Sequence, residues 1–379
     1  MNVVESIQTD LSKAFDCLKY DLFIAKLHAY GLDEQAVRFI HSYLSDRKKR
    51  TKINNKYSPF SDIEYGVPQG SILGPLLFNI HVCDMFLEDL ECDIASHADD
   101  NTPYVTECNI EIILKKLESC GSTLFKWFKE NYLKANADKC HVLLTTRDQT
   151  SMNLEGCDIP NSQEERLLGI KFDTKLSFEN HVSSLCKKAT QKLHALARIV
   201  NYMEVDKRKC LMKAFVTSQF SYCPLIWMFH SRKLNNRINS IHERALRLAY
   251  NDYKATFNQL LEKDNSVTIH NRNLQILATE IYKVKNDLGP SIMKEVLQFK
   301  EPSYSLRSQQ NTFVKRNVKT THYGLQSIRY LAPIIWDQVP EDIRNSVSLK
   351  VFKTSIKKWI PSNCPCRLCK TYVGQVGFI

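Results

Sequence analysis

Three carboxylates carry the chemistry most legible in this chain. Asp99 and Asp100 stand side by side in His97-Ala98-Asp99-Asp100-Asn101, and Asp10 opens the segment Asp10-Leu-Ser-Lys-Ala-Phe-Asp16. Adjacent carboxylates repel each other and are costly to hold together unless water or a cation neutralises them. One carboxylate ending a first strand and two on a hairpin turn would make a site for paired Mg²⁺ ions, with Mn²⁺ able to replace them. Such a site suits phosphoryl transfer. The alternative for Asp10 is a capping or turn aspartate, and for Asp99-Asp100 an Asx-rich turn. Between them lies Gly66-Val-Pro-Gln-Gly-Ser-Ile-Leu-Gly-Pro75, a loop whose glycines permit close backbone approach.

The elements that must position these residues follow from pattern. Val3 to Asp10 reads as a strand ending at the carboxylate. Helical spacing follows around Leu22, Phe23, Ala25, Lys26 and Leu27. Asp33 is expected to N-cap a helix running to about Leu44, with Val37, Phe39, Ile40 and Tyr43 on its buried side. Arg47-Lys-Lys-Arg50, Thr51–Ile53 and Asn54-Asn55 predict a hairpin with a basic first strand that returns to Tyr65. An apolar helix spans Ser71 to Met85, with Pro75 tolerable in its first turn. Ile94–His97 and Tyr104-Val105 predict the arms of a hairpin with Asp99-Asp100 at the tip. A helix covers Ile110 to about Phe128, and strands are expected over Lys139–Thr145 and Leu167–Phe172. From Asn180 the signal is helical, over His181–Val200, Asp206–Phe220 and Arg232–Tyr250.

A chain of 379 residues with 43% apolar content has room for two or three domains with real cores. Apolar runs stay short of a membrane span and Met1 is not followed by a secretory pattern, so an intracellular protein without a membrane partner is expected. Thirteen scattered cysteines point to reduced thiols rather than a disulfide framework. The net charge of +11 is uneven: residues 1–100 carry 10 Lys and Arg against 16 Asp and Glu, and the remainder 42 against 25. An acidic head on a basic body suits a metal site beside a surface for a polyanion, although a solvated basic surface explains the same charge.

In these residues the sequence resembles the reverse transcriptases of non-LTR (LINE-type, jockey-like) retrotransposons. Five blocks occur in the family's order: Asp10–Asp16, Gly66–Phe78, Ala98-Asp99-Asp100, Trp127 with Asn131-Tyr-Leu-Lys134-Ala-Asn136-Ala-Asp-Lys139-Cys, and Leu167-Leu-Gly-Ile-Lys-Phe-Asp173 with Leu176 to His181. The resemblance implies an α/β (α+β) fold. It would be a right-hand polymerase palm with an antiparallel sheet and flanking helices over 1–175 and a helical thumb or connection over 176–289; the basic charge after about residue 290 marks a C-terminal extension over 290–379. The resemblance also implies RNA-directed DNA synthesis on an RNA template and DNA primer, from deoxynucleoside triphosphates. Asp10, Asp99 and Asp100 would hold the metal ions, and Lys139 would protonate the departing pyrophosphate, with Lys134 its rival.

Phe15 would lie under the incoming sugar and exclude a 2′-hydroxyl, where the alternative is a core phenylalanine. Gln69 and Gly70 would floor the nascent base pair. Leu168 and Gly169 would belong to the hairpin gripping the primer, and Lys187, Lys188, Lys192 and Arg198 would contact duplex phosphates. Cys364, Cys366 and Cys369 form a C-x-C-x-x-C cluster without an adjacent fourth ligand, and His322 is the one histidine in the preceding sixty residues. Free thiols are the expected state there, rather than zinc.

The chain departs from the family in three places. Nine residues precede Asp10, so the fingers are expected to be mostly missing. His97 and Asn101 stand where an aromatic and a threonine are usual. Pro103 follows the acidic turn, where it removes a ladder donor. A second reading follows: a truncated or host-recruited remnant that binds nucleic acid without catalysis.

Overall fold

The first strand, which runs toward Asp10, is interior to its sheet, and this sets the architecture of the first half of the chain. The structure is a computed structural model that describes residues 3–9, 11–135, 140–144, 152–154, 157–159, 161–298, 313–314, 317–318, 320–362, 364, 366 and 368–369. Asp10 and Lys139 lie outside the described residues. The chain divides into two units, Met1–Leu176 and Ser177–Ile379.

In the first unit, β1 (Val3–Gln8) is followed by α1 (Tyr20–Ala29) and α2 (Glu34–Leu44). Asp33 caps α2 by accepting from Ala36 N at 2.8 Å. Val37 and Leu44 form the buried side of α2, and Ile40 and Tyr43 are half-buried. Phe39 does not join them: it is 65% exposed. A 100° step per residue turns it away from the stripe that Val37 and Leu44 define, so its apolarity misled the reading. Four short strands follow: β2 (Lys48–Lys49), β3 (Lys52–Ile53), β4 (Lys56–Tyr57) and β5 (Ser61–Asp62). β3 and β4 pair around Asn54 and Asn55, both left-handed, as an Asn-Asn turn favours. The apolar stretch after Ser71 is α3 (Leu73–Val82), which passes into a 3₁₀ turn over Cys83–Leu87.

The acidic turn belongs to the hairpin of β6 (Asp93–His97) and β7 (Asp100–Glu107). α4 (Ile110–Glu130) then crosses the sheet, capped by Asn109. After it come β8 (His141–Leu144), β9 (Met152–Leu154), β10 (Cys157–Ile159), β11 (Asn161–Ser162), β12 (Glu164–Leu167) and β13 (Ile170–Asp173). The main sheet has the order β11-β8-β1-β7-β6, antiparallel except for the β11–β8 pair. Pro103 therefore lies in an interior strand, paired opposite Ile94 and buried.

Ile7, Val105 and Val142 share a core with Ile113 and Leu117 of α4, the pleat presenting alternate residues to a helix with apolar side chains near i, i+4 and i+7. A second cluster joins the lower half of α4, through Leu124, Trp127 and Phe128, to Leu11, Ala14 and Phe78. Cys92 and Cys120 form a disulfide in this unit. At this one pair the expectation of reduced thiols fails, because α4 brings together two cysteines 28 residues apart, which no sequence spacing disclosed; the other cysteines whose side chains are described form no disulfide.

The second unit is helical. α5 (Glu179–Ala197), α6 (Val205–Leu211) and α7 (Pro224–Trp227) precede α8 (Arg232–Tyr250), α9 (Phe257–Asp264) and α10 (Ile269–Lys285). The single helix expected over Asp206–Phe220 instead changes hydrogen-bonding pattern, with a π turn over Met212–Val216 and a 3₁₀ turn over Thr217–Phe220. α11 (Ile292–Val296), α12 (Ile328–Trp336), α13 (Glu341–Arg344) and α14 (Leu349–Ile356) complete it.

Residues beyond 290, read from charge as an extension, supply Leu331, Ile335, Trp336, Phe352 and Ile356 to one core with Leu274, Leu277 and Ile281 of α10. Among the described residues, no helix is long and apolar enough to cross a membrane.

Candidate active site

The first block is the hub of the site. Thr9, at the end of β1, donates from its backbone N to Asn101 O at 3.1 Å, and its Oγ1 donates to the same oxygen at 2.9 Å. The β1–β7 ladder runs to Ser6 opposite Tyr104, and a separate bridge of Thr9 with Asn101 keeps the same register. The chain just before Asp10 is thus locked to the residue just after Asp100.

The acidic turn is tight. His97 pairs with Asp100, so Ala98 and Asp99 alone make the connection, and Ala98 takes the left-handed φ of 56°. Asn101 holds the turn from behind: its Oδ1 accepts from Ser96 Oγ at 2.7 Å and its Nδ2 donates to Asp99 O at 3.3 Å. Asn101 is buried, Asp99 half-buried and Asp100 exposed. The tip is therefore Ala98-Asp99, one residue earlier than the pattern suggested, and Asp100 is the first residue of β7.

The second block also closes onto the first. Gly66 N donates to Leu18 O and Val67 N to Phe15 O, each at 2.8 Å. Gln69 Nε2 donates to Asp16 Oδ1 at 2.9 Å. Gly66 sits at φ +84°, and a Cβ there would meet Asp16 Cα at 2.6 Å and Phe15 O at 2.8 Å, so only glycine allows this approach. Gly70 is also left-handed, at +79°, but faces open space.

Phe15 is half-buried and stacks on the fully buried Phe78, ring centroids 4.3 Å apart. The stacking on Phe78 fixes the position of the ring. The fourth block meets the first through Ser12 N, which donates to the carbonyl of Lys134 at 2.8 Å. The Lys134 side chain is exposed.

A cavity of about 510 Å³ opens between the first two blocks and the basic hairpin, within the size range of small-molecule sites. Lys13, Asp16, Arg47, Lys49, Gly66 and Gln69 line it. Lys13, Arg47 and Lys49 were not singled out from the sequence as site residues. The run Arg47-Lys-Lys-Arg50 was the available signal, but its pattern said strand and only the pairing of β2 with β5 turns it toward the Gly66 loop.

Leu168 and Gly169 form the two-residue turn between β12 and β13, both with positive φ. The single strand that pattern alone suggested over Leu167–Phe172 is therefore a hairpin, as the family resemblance implied, and it reverses at Leu168-Gly169 because that pair adopts the left-handed conformations such a turn needs. Glu165 of β12 lies 3.9 Å from His141 Nδ1 on β8, a contact from that hairpin to the main sheet. In the second unit, Lys187, Lys188, Lys192 and Arg198 are all exposed, on the side of α5 away from buried Val182, Cys186, Ala189 and Leu193.

The Cys-rich segment gains a partner that sequence did not supply. His270, at the start of α10, lies with Cys364, Cys366 and Cys369, all four ligand atoms within 4.8 Å of one another. Only the backbone of His322 is described.

The family profile described as reverse transcriptase (RNA-dependent DNA polymerase) matches residues 5–172, a stretch that contains all of this geometry in the first unit. Residues 5–172 are a reverse transcriptase domain. The chain is 28% identical over 260 residues to a probable RNA-directed DNA polymerase from transposon BS of Drosophila melanogaster, covering 63% of this chain and 28% of that protein. It is 27% identical over 251 residues to the RNA-directed DNA polymerase from mobile element jockey of Drosophila funebris, covering 63% of this chain and 27% of that one. The expected kinship with non-LTR reverse transcriptases is thereby shown, and the chain spans a little over a quarter of these relatives' length. Among solved structures, apo telomerase from Candida tropicalis aligns at 13% identity with a TM-score of 0.38, over 69% of this chain and 44% of that one.

Proposed function

We propose that the chain carries out RNA-directed DNA synthesis by two-metal nucleotidyl transfer to a primer 3′-hydroxyl, with Asp10, Asp99 and Asp100 holding Mg²⁺ or Mn²⁺. The observation that carries this reading is the Thr9–Asn101 pairing, which ties the strand leading into Asp10 to the turn bearing Asp99 and Asp100. Hard carboxylate oxygens, one half-buried and one exposed, are the donor type these ions take. When bound, such ions lower the pKa of the attacking hydroxyl and neutralise the leaving pyrophosphate.

The protein's own residues supply position. Lys13, Arg47 and Lys49 offer cations to a triphosphate in the cavity, and the Asp16–Gln69 hydrogen bond orients the Gln69 amide beneath the nascent pair. Phe15, held by Phe78, excludes a 2′-hydroxyl by bulk. Lys139 protonates the departing pyrophosphate, Leu168-Gly169 approaches the primer, and the exposed cations of α5 contact duplex phosphates.

Primer extension tests the reading. The purified chain, given a primed RNA template, deoxynucleoside triphosphates and Mg²⁺ or Mn²⁺, should extend the primer, and Asp99→Asn should reduce extension to background. Absence of extension by the unaltered chain would refute it. Salt-sensitive binding to an RNA–DNA duplex, unchanged in Asp99→Asn and without extension, would assign the chain to the nucleic-acid-binding remnant.

A further inference from the structure

We propose that His270, Cys364, Cys366 and Cys369 bind one Zn²⁺ ion that fastens the C-terminal segment to the start of α10. The polymerase reading is not needed for this proposal, because all four residues lie in the second unit.

Geometry is the first argument. Cys366 Sγ lies 3.4 Å from His270 Nε2, and the four ligand atoms fall within 4.8 Å of one another. Tetrahedral zinc, with Zn–S about 2.3 Å and Zn–N about 2.0–2.1 Å, sets its ligands about 3.6 Å (S to N) and about 3.8 Å (S to S) apart. No pair therefore exceeds a coordinating separation by more than about 1.2 Å, an excess that side-chain torsions can absorb.

Ligand chemistry is the second. Three thiols and one imidazole make a Cys₃His set, the soft composition of structural zinc sites, and no carboxylate or open position is present in the cluster. With four protein ligands the ion would be closed to substrate, so its role is to hold the fold. Binding needs the thiols as thiolates, whose protons pass to solvent.

Burial is the third. His270 is 6% exposed, Cys364 5% and Cys366 0%. Among the described residues the buried His270 Nδ1 atom has no hydrogen-bond partner, and Nε2 faces the Cys366 thiol. Placing an imidazole among cysteines in this way is unfavourable unless something there binds both.

The scaffold around the cluster is already built. Gln275, five residues along α10, donates from its buried Nε2 to Lys357 O at 3.1 Å and to Trp359 O at 2.8 Å. Trp359 Nε1 donates to Gln338 O at 3.2 Å, and Cys369 N closes a turn onto Cys366 O at 3.1 Å. The chain entering the cluster is thus pinned to the same helix that carries His270, and zinc would complete that attachment.

Metal analysis of the full chain decides the matter. After purification under reducing conditions and dialysis against a weak chelator, we expect about one zinc per chain. Replacing it with Co²⁺ should give the strong visible bands of a tetrahedral site together with thiolate charge-transfer absorption. His270→Ala and Cys369→Ser should each weaken zinc binding at least about 10-fold, the lower end of what even outer-sphere partners cost. Cys210→Ser, at an exposed cysteine outside the cluster, should leave it unchanged.

Three results would overturn the proposal. One is a folded, unaltered chain with no zinc and three freely reacting thiols in the segment 364–369. Another is zinc content indifferent to both ligand variants. The last is iron in place of zinc, with its own visible spectrum. The unaltered chain's metal content and cobalt spectrum stand even if a ligand variant fails to fold.

Discussion

Gly66→Ala tests the join between the first two blocks. The substitution has two separable costs. The first is conformational: alanine at φ +84° costs about 1–2 kcal/mol in the left-handed region. The second is collision: the new Cβ would stand 2.6 Å from Asp16 Cα and 2.8 Å from Phe15 O, both backbone atoms that no side-chain rotation can clear. Forcing atoms into a packed site costs about 1–3 kcal/mol more, giving about 2–5 kcal/mol in all. Gly70→Ala is the internal control, since Gly70 is left-handed at +79° with nothing within 4 Å of its would-be Cβ. It should cost only the conformational part, and Gly31→Ala, in the same state, should match it.

The difference between Gly66→Ala and Gly70→Ala isolates the collision. Hydrogen exchange by peptide is the suitable assay, because three of the four tryptophans lie in the second unit and fluorescence would report mainly on that one. Peptides covering 14–18 and 64–68 should open far more readily in Gly66→Ala and nearly normally in Gly70→Ala. Equal, mild effects in the two variants would refute the close approach and with it the placement of Gln69 against Asp16.

Other outcomes follow from the same structure. Asn101→Ala should destabilise the acidic turn by about 1–3 kcal/mol, because it removes the buried acceptor of Ser96 and the donor to Asp99 O; faster exchange at 96–101 together with weaker metal-dependent extension is the signature. Acid should weaken each unit through a buried histidine. Burial, reinforced by the Lys26 cation, pushes His81 down to about 4, and burial with Arg272 pushes His242 down to about 4. The unfolded chain binds these protons near pH 6.5 and the folded chain does not, so the stability is present above that value and is lost as pH falls toward about 4, by up to about 3 kcal/mol for each histidine. His81→Leu should flatten that loss in the first unit only and His242→Leu in the second only, as read by exchange at neutral and mildly acidic pH.

Several features were legible in sequence because their causes are local. The Asp33 cap, the Asn54-Asn55 turn and the helix Arg232–Tyr250 follow from side-chain reach, left-handed tolerance and a 3.6-residue period. Other features failed where a local rule met a longer-range one. Leu167–Phe172 reads as apolar and extended, yet Leu168-Gly169 reverses it, because pairing of Glu164–Leu167 with Ile170–Asp173 outweighs the left-handed cost at one leucine. Phe39 counts as apolar in any pattern but sits on the wrong side of its helix.

The candidate site divides in the same way. The order and composition of the five blocks, and hence the family, were properties of the sequence, because the residue types that bind metals and phosphates are set by their own functional groups. Only the tertiary structure decided which of them touch: Thr9 with Asn101, Asp16 with Gln69, Ser12 with Lys134, and the cations of the hairpin around one cavity. Cys92 with Cys120, and His270 with cysteines more than ninety residues later, were likewise beyond reach. Sheet order and helix docking settle such contacts through the burial of apolar area gathered from the whole chain, a sum that no stretch of neighbouring residues contains.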